Sequence, residues 1–337
     1  MNKNIDKFRG CLIGGAAGDA LGYAVEFMLR KEINARYGEA GITEYDLNRG
    51  LARISDDTQM TLFTAGAFLF GDNSEYPAGY MKRCYQDWFL TQNAPYPVED
   101  RATHSFLLQK KELFSRRAPG GTCLTAIMSG AYGTVTEPIN DSKGCGGIMR
   151  VAPIGLFYTD RDTDGKEAAG YGGDAAAMTH GHTLGFIPAA AFTYIIHALS
   201  HGETSLKKAV TESLDVVSKL YPGARHLDDF LALMDDAVRY AETGDDDAWV
   251  LGELGEGWVA EETLAIAVYC ALKYQNDFDK ALQVSVNHDG DSDSTGAVTG
   301  NILGTLIGYE SIPDKYKKNL ELHDLILDVA EKLYDKA

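Results

Sequence analysis

The chain has 337 residues, with 31 Lys+Arg against 49 Asp+Glu, a formal net charge of −18, 45% apolar residues and 24% charged. That composition excludes a disordered or fibrous chain, and a protein of this length buries roughly three quarters of its unfolded surface without disulfide or metal staples. The acidic balance, with no Lys/Arg run longer than three, argues against nucleic acid as a partner.

From the N-terminus, MNKNIDKFRG and the apolar residues 11–17 have the outline of a short secretory signal, but Asp19 interrupts it and no cleavage pattern follows, so no leader is expected. Helical runs follow at residues 58–70, 230–240, 262–274 and 295–307. Leu206, Val210, Leu214, Val217 and Leu220 share one helical face, as do Leu322, Leu325, Ile326, Val329 and Leu333. Residues 175–202 carry no Lys, Arg, Asp or Glu, which is long enough for a membrane span. Their four histidines and Pro188 favour a buried core helix instead, and no membrane association is expected. Strand-like alternation is nearly absent. The chain is therefore expected to be all-α, one domain over residues 1–337 with ten or more helices. Residues 159–166 are the best site for an insertion, and no repeat or linker is evident.

The 36 glycines concentrate at residues 14–22, 120–121, 144–147, 170–173 and 252–257, as punctuators and points of close approach. The five cysteines (Cys11, Cys84, Cys123, Cys145, Cys270) are scattered without a C-x-x-C pair, which suits a reducing cytoplasm.

Two acidic motifs stand before helical runs. Ser55-Asp56-Asp57-Thr58-Gln59 reads as an N-cap, with Asp56 and Gln59 close to a capping box, or as a ligand set. Asp289, Asp291 and Asp293 alternate with Gly290, Ser292 and Ser294, more acids than a cap requires. An EF-hand starting at Asp289 would need Gly at its sixth position and Glu at its twelfth, where Ser294 and Gly300 stand. What remains is a set of hard oxygen donors suited to Mg²⁺ or Mn²⁺. Four carboxylates brought together would repel one another unless two divalent ions balanced them, an arrangement that serves hydrolysis. No G-x-x-x-x-G-K-[ST], H-E-x-x-H or G-x-S-x-G motif occurs, and G-x-G-x-x-A at Gly170 and Gly255 follows no strand.

Six ordered blocks then carry a resemblance. GCLIGGAAGDALGYAVEF (residues 10–27), SDDTQM (55–60), GCGGIMRVAPIGL (144–156), MTHGHTLGF (178–186), GWVAEETLAIAVYC (257–270) and GDSDSTGAVTGNILG (290–304) resemble the ADP-ribosylglycohydrolases over most of the chain. The resemblance implies a single orthogonal multi-helix domain. It also implies two Mg²⁺ ions held by Ser55, Asp56, Asp57, Asp291, Asp293 and Ser294, with Ser at two positions where the family often has Thr. Glu26 is implied as general acid/base or water-orienting residue, with Asp56 and Asp293 in the catalytic set and an exposed helix-end acid as the alternative for Glu26.

Gly120, Gly121 and Thr122, with Gly144, Gly146, Gly147 and Met149, are implied as ADP-ribose lining, or are ordinary turns. Arg150 either pairs with a phosphate or braces an acid from inside, and His180 is placed near the distal ribose or phosphate. His182 has no matching role. Trp258 either stacks on adenine or belongs to the core, and Glu261 and Glu262 are caps or ligand contacts. The implied activity is removal of ADP-ribose from a modified acceptor, which within the family is ADP-ribosyl-arginine, ADP-ribosyl-serine, O-acetyl-ADP-ribose or a nucleic-acid adduct. ADP-ribosyl-arginine protein is the first expectation, because a guanidinium leaving group suits an acidic protein surface, and a monomeric cytoplasmic enzyme is expected. The competing readings are a silent ADP-ribose-binding, immunity or structural relative, and a generic metal-dependent phosphohydrolase.

Overall fold

The computed structural model describes residues 3–70, 78–98 and 105–337, and among them are sixteen α-helices, short 3-10 turns and isolated bridges but no β-strand. The all-helical expectation holds.

Two helices from opposite ends of the chain form the central pair. The first, Ile5–Gly22, begins at Asn4, whose side chain accepts from Asp6 N. It carries Gly10, Gly14, Gly18 and Gly22 at every fourth position, one stripe of a helix. The helix Ser292–Ile307 carries Gly296, Gly300 and Gly304 at the same spacing. Taken in order, a side chain on Gly10, Gly14, Gly18 or Gly22 would collide with backbone of Gly304, Gly300, Gly296 and Ser292. The helices are thus antiparallel and meet backbone to backbone, a contact only glycine allows. The signal-like residues 11–17 are all buried in this pair.

Most of the charge-free segment forms the helix Thr183–His201, and 94% of its most apolar stretch is buried inside the protein. The expected helices at residues 206–220, 230–240, 262–274 and 295–307 appear as Leu206–Leu220, Leu227–Ala241, Ala260–Lys273 and Ser292–Ile307. Leu325, Ile326, Val329 and Leu333 face the core from His323–Lys336, but Leu322 lies before that helix with φ +60°. Residues 159–166 are no loose insertion. Thr159 is fully buried against Ser200, and buried Asp162 accepts from Ala168 N and so ties the turn to the next helix.

Candidate active site

Helix starts build the site. Asp19, fully buried on the first helix, accepts from Ser55 N at 2.9 Å, from Thr58 N at 3.0 Å and from the Thr58 hydroxyl. Those amides belong to the start of the helix Asp56–Phe70, where N–H groups lack intrahelical partners. Asp19 therefore pins that start to the central pair. Ser55 Oγ accepts from Asp57 N at 3.1 Å, so Ser55 and not Asp56 is the cap. Gln59 closes no capping box: its amide turns to Ser115 O and receives Trp88 and Gln92. Ser55 was expected among metal ligands. It is fully buried outside the cleft lining, with its hydroxyl turned to the cap.

Across from this start, Asp291 caps the helix Ser292–Ile307, accepting from Ser294 N at 3.2 Å through one oxygen and from the Cys145 thiol at 2.8 Å through the other. Asp293 accepts from the same amide at 3.0 Å, and Asp56 from Gly120 N at 3.1 Å. One cleft, about 320 Å³ in volume, is lined by Glu26, Asp56, Asp57, Asp291, Asp293 and Ser294. No Lys or Arg joins them in its lining.

The electrostatics follow from that imbalance. Burial, then Asp291, Asp56 and Asp19, pushes Glu26 up to about 9. Burial pushes Asp56 to about 8 and Asp19 to about 6. Burial and neighbouring carboxylates hold Asp57 and Asp293 well above the usual range. Asp57 Oδ2 and Glu26 Oε2 are buried with no hydrogen-bond partner. Orphaned, acid-only and built of hard oxygens, this set fits a divalent cation such as Mg²⁺ in donor chemistry. No three of the described His, Cys, Asp or Glu side chains already converge as a formed metal site.

The facing wall contains Gly120, Gly121, Thr122, Gly144, Gly146 and Met149. Gly121 opens the helix Gly121–Ser129, and a Cβ at Gly120 or Gly121 would meet nothing within 4 Å, so packing does not require glycine there. A Cβ at Gly146 would press on Cys123 Sγ and the His180 ring. His180 lines the cleft while 2% exposed, donor or acceptor to Thr179 Oγ1 at 2.8 Å, and burial with Arg150 nearby lowers it to about 3, leaving it neutral.

Two expected lining residues lie elsewhere. Gly147 packs on Ala176 and Gly185. Arg150 is fully buried, donating to Ala175 O at 3.0 Å and Thr179 Oγ1 at 2.7 Å with its guanidinium 4.5 Å from the Tyr85 ring centre. It does not line the cleft, and it pairs with no acid among the described residues. The apolar surroundings of residues 148–152 draw it inward, where a carbonyl, a hydroxyl and an aromatic face engage it while its Nε stays without a partner. Trp258 is not a core residue: it is 36% exposed at the cleft rim, stacked on Phe27 at 5.6 Å between ring centres.

The sequence model of the ADP-ribosylglycohydrolase family matches residues 1–337. The chain belongs to that family. The ADP-ribosylhydrolase ARH3 of Bos taurus is 25% identical over 98% of this chain and 93% of its own length. The ADP-ribosylarginine hydrolase Tri1 of Serratia proteamaculans is 25% identical over 99% of this chain and 80% of its own. A solved structure named ADP-ribosylglycohydrolase-related protein complex superposes with a TM-score of 0.61 at 21% identity, over 100% of this chain and 99% of that one, which shows a shared fold.

In this ADP-ribosylglycohydrolase, a hydrolase of ADP-ribose linkages, sequence reasoning missed Asp19, Phe27, Cys123 and Cys145 as parts of the site. Asp19 had a readable signal, the one charged residue in the small and apolar stretch that runs from Gly10 to Gly22. Phe27 is 67% exposed with φ +65°, and neither feature is visible in sequence.

Proposed function

We propose that this protein is a Mg²⁺-dependent hydrolase that removes ADP-ribose from a modified acceptor by cleaving the C1″ glycosidic bond, with ADP-ribosyl-arginine protein as first substrate. The observation that carries this reading is a single cleft in which Glu26 and four aspartates face a helix start lined by Gly120, Gly121 and Thr122. The free N–H groups and positive dipole end of the helix Gly121–Ser129 suit a diphosphate. Asp56, Asp57, Asp291 and Asp293, with Ser294, would hold the divalent cations. Bound there, these supply Lewis-acid polarisation of sugar oxygens and lower the proton affinity of a water.

The chain's own residues do the rest. Glu26 stands half-buried at the cleft, placed to take the proton of the attacking water or deliver one to the leaving group. Asp19 and Ser55 hold Asp56 and Asp57 in place, and neutral His180 braces the glycine wall. An acid-only lining favours a cationic leaving group such as guanidinium, and the name of the Serratia relative agrees with that choice.

The test is release of free ADP-ribose from ADP-ribosyl-arginine protein, with Mg²⁺ and with EDTA, wild type beside Asp293→Ala. Release that needs Mg²⁺ and vanishes in the variant is expected. Full activity in EDTA or in Asp293→Ala would overturn the metal assignment, and release only from other acceptors would overturn the arginine assignment.

A further inference from the structure

Behind the cleft lies a second cavity of about 480 Å³ that the reaction does not use. Two paired segments border both. Residues 143–145 and 258–260 run antiparallel, with Ala260 N donating to Lys143 O at 2.9 Å and Cys145 N to Trp258 O at 3.2 Å. Gly144, Cys145 and Trp258 face the cleft, whereas Lys143 and Gly255 face the second cavity.

The chemistry of this cavity is one-sided. Asp229, Glu253, Glu261 and Glu262 line it against a single ammonium, Lys143, and Asp229 Oδ2 lies 2.7 Å from His226 Nδ1, so with neutral imidazoles three negative charges are in excess. Lys143 is already engaged, paired with Glu261 Oε1. Glu262 Oε2 accepts from Glu256 N and Gly257 N and so holds the 255–257 turn. The Glu253 side chain has no hydrogen-bond or ion-pair partner among the described residues. The second oxygen of Glu261 is the decisive atom. Glu261 is 6% exposed, it lines this cavity, and its Oε2 is buried without any partner. Leaving a carboxylate oxygen so placed is unfavourable unless a donor reaches it. Burial raises the Glu261 carboxyl despite Lys143, as expected of a site still short of positive charge. Beside these acids, His182 and His226 stack at 5.3 Å and give the cavity a flat face; His182 Nδ1 accepts from Leu184 N.

We infer that this cavity binds the guanidinium or ammonium of a basic side chain that flanks the modified residue in the acceptor protein. Glu261 Oε2 and Glu253 receive the cation's N–H groups, and the imidazole face supports a planar guanidinium. The shared wall sets the reach. Because residues 143–145 and 258–260 border both cavities, a side chain near the modified residue, gaining about 3.3 Å of reach per extended position, can enter the second cavity while ADP-ribose occupies the cleft. This rests on the hydrolase reading for what the acceptor is, but the binding itself does not depend on turnover.

The experiment measures binding and turnover separately. Fluorescence anisotropy of the full chain is recorded with a fluorescein-labelled, unmodified Arg/Lys-containing peptide and with its Gln-substituted twin, at low and physiological salt. The basic peptide is expected to bind and its twin not to. Glu253→Gln, an exposed change that leaves the fold intact, weakens binding about threefold, and Glu261→Gln, at the buried atom, about tenfold or more. Glu331→Gln on the last helix leaves it unchanged. Equal binding of both peptides, or unaltered binding by Glu253→Gln and Glu261→Gln, overturns the site. Agmatine, a free alkylguanidinium, distinguishes the source: if it binds as tightly as the peptide, the acceptor part of the inference is overturned. In turnover, ADP-ribosylated basic peptide should show a lower KM than the neutral one, with the gap closing in Glu253→Gln at unchanged kcat. If neither peptide is hydrolysed while the basic one still binds, the hydrolase reading fails and the cation site stands.

Discussion

Gly18→Ala tests whether the glycine seam organises the molecule. An added Cβ would lie 3.0 Å from Ala297 N and closer still to the carbonyl of Gly296, all backbone atoms that cannot rotate away. The two central helices would have to part by about 1 Å, and a gap of that size forfeits a quarter to a half of each dispersion contact it opens. Overpacking of this kind costs about 3 kcal/mol at its upper end, and alanine's better helix propensity returns about 1 kcal/mol, leaving about 2 kcal/mol of destabilisation. Gly170→Ala is the matched control. Gly170 lies inside the helix Lys166–Ala177, and its Cβ would meet nothing within 4 Å, so the same substitution there should stabilise by about 0.5–1 kcal/mol. At about 2.1 cal/mol/K per residue, the unfolding entropy converts these to a Tm lower by about 3 °C and one higher by about 1 °C. Calorimetry with a urea midpoint at unchanged m checks both. A Gly18→Ala protein as stable as Gly170→Ala would refute the seam, and ADP-ribose release should fall with Gly18→Ala because Asp19 and Asp293 sit on the parted helices.

Arg150→Met should lower stability by about 3 kcal/mol, leaving Ala175 O and Thr179 Oγ1 without their buried donor, while the KM of the folded fraction stays unchanged; a raised KM at full stability would return Arg150 to the substrate. Burial, opposed in part by Asp162, lowers His197 to about 4 from an unfolded 6.5, so above pH 6.5 it contributes nothing, and as pH falls from 6.5 towards 4 the unfolded chain takes up a proton that the folded one refuses. Stability lost across that window, up to about 3 kcal/mol, should be smaller in His197→Gln, read as a flatter Tm-against-pH curve below 6.5. Asp57→Asn should raise the Tm of EDTA-treated protein by about 1 °C or more, by removing a carboxylate that burial and its neighbours disfavour, and should shrink the stabilisation on adding Mg²⁺, which at a hundredfold excess over Kd would be about 2.7 kcal/mol for the wild type. A lower Tm without metal would show Asp57 to be structural.

Helix identity and the acidic motifs were legible because they are local. Leu206, Val210 and Val217 reveal their buried face by spacing alone, and the charge-free residues 175–202 reveal a core helix by histidine and proline content. What sequence hides is the partner. Gly10, Gly14 and Gly18 have a spacing as regular as any apolar face, yet glycine reads as a breaker until Gly296, Gly300 and Gly304 are seen to lie against it. The same limit applies to Arg150 and Ser55. A fork of donors beside glycines suits a phosphate equally well whether it points out or in, and a hydroxyl before two acids gives no sign in sequence that the Asp57 amide will donate to it. Asp291 shows that the two roles need not exclude one another, since it caps a helix through one oxygen and faces the cleft.

The central seam and the acid cluster explain one another. A helix start offers a carboxylate about 0.3–1 kcal/mol in ordinary geometry and up to about 2 kcal/mol when partly buried. Raising Asp56 from 3.8 to about 8 corresponds to about 6 kcal/mol against its charged form, so caps and dipoles alone do not balance the buried acids. The rest of the molecule must hold the cluster together. Backbone-to-backbone contact does this well, because a glycine seam has no side-chain rotamers through which the first helix and Ser292–Ile307 could relax apart. Repulsion among Asp57, Asp293 and Glu26 therefore remains in the cleft as affinity for positive charge. A looser interface would release the same repulsion as separation of the helices, which is why stability at Gly18 and cation response at Asp57 should fall together when the seam is opened.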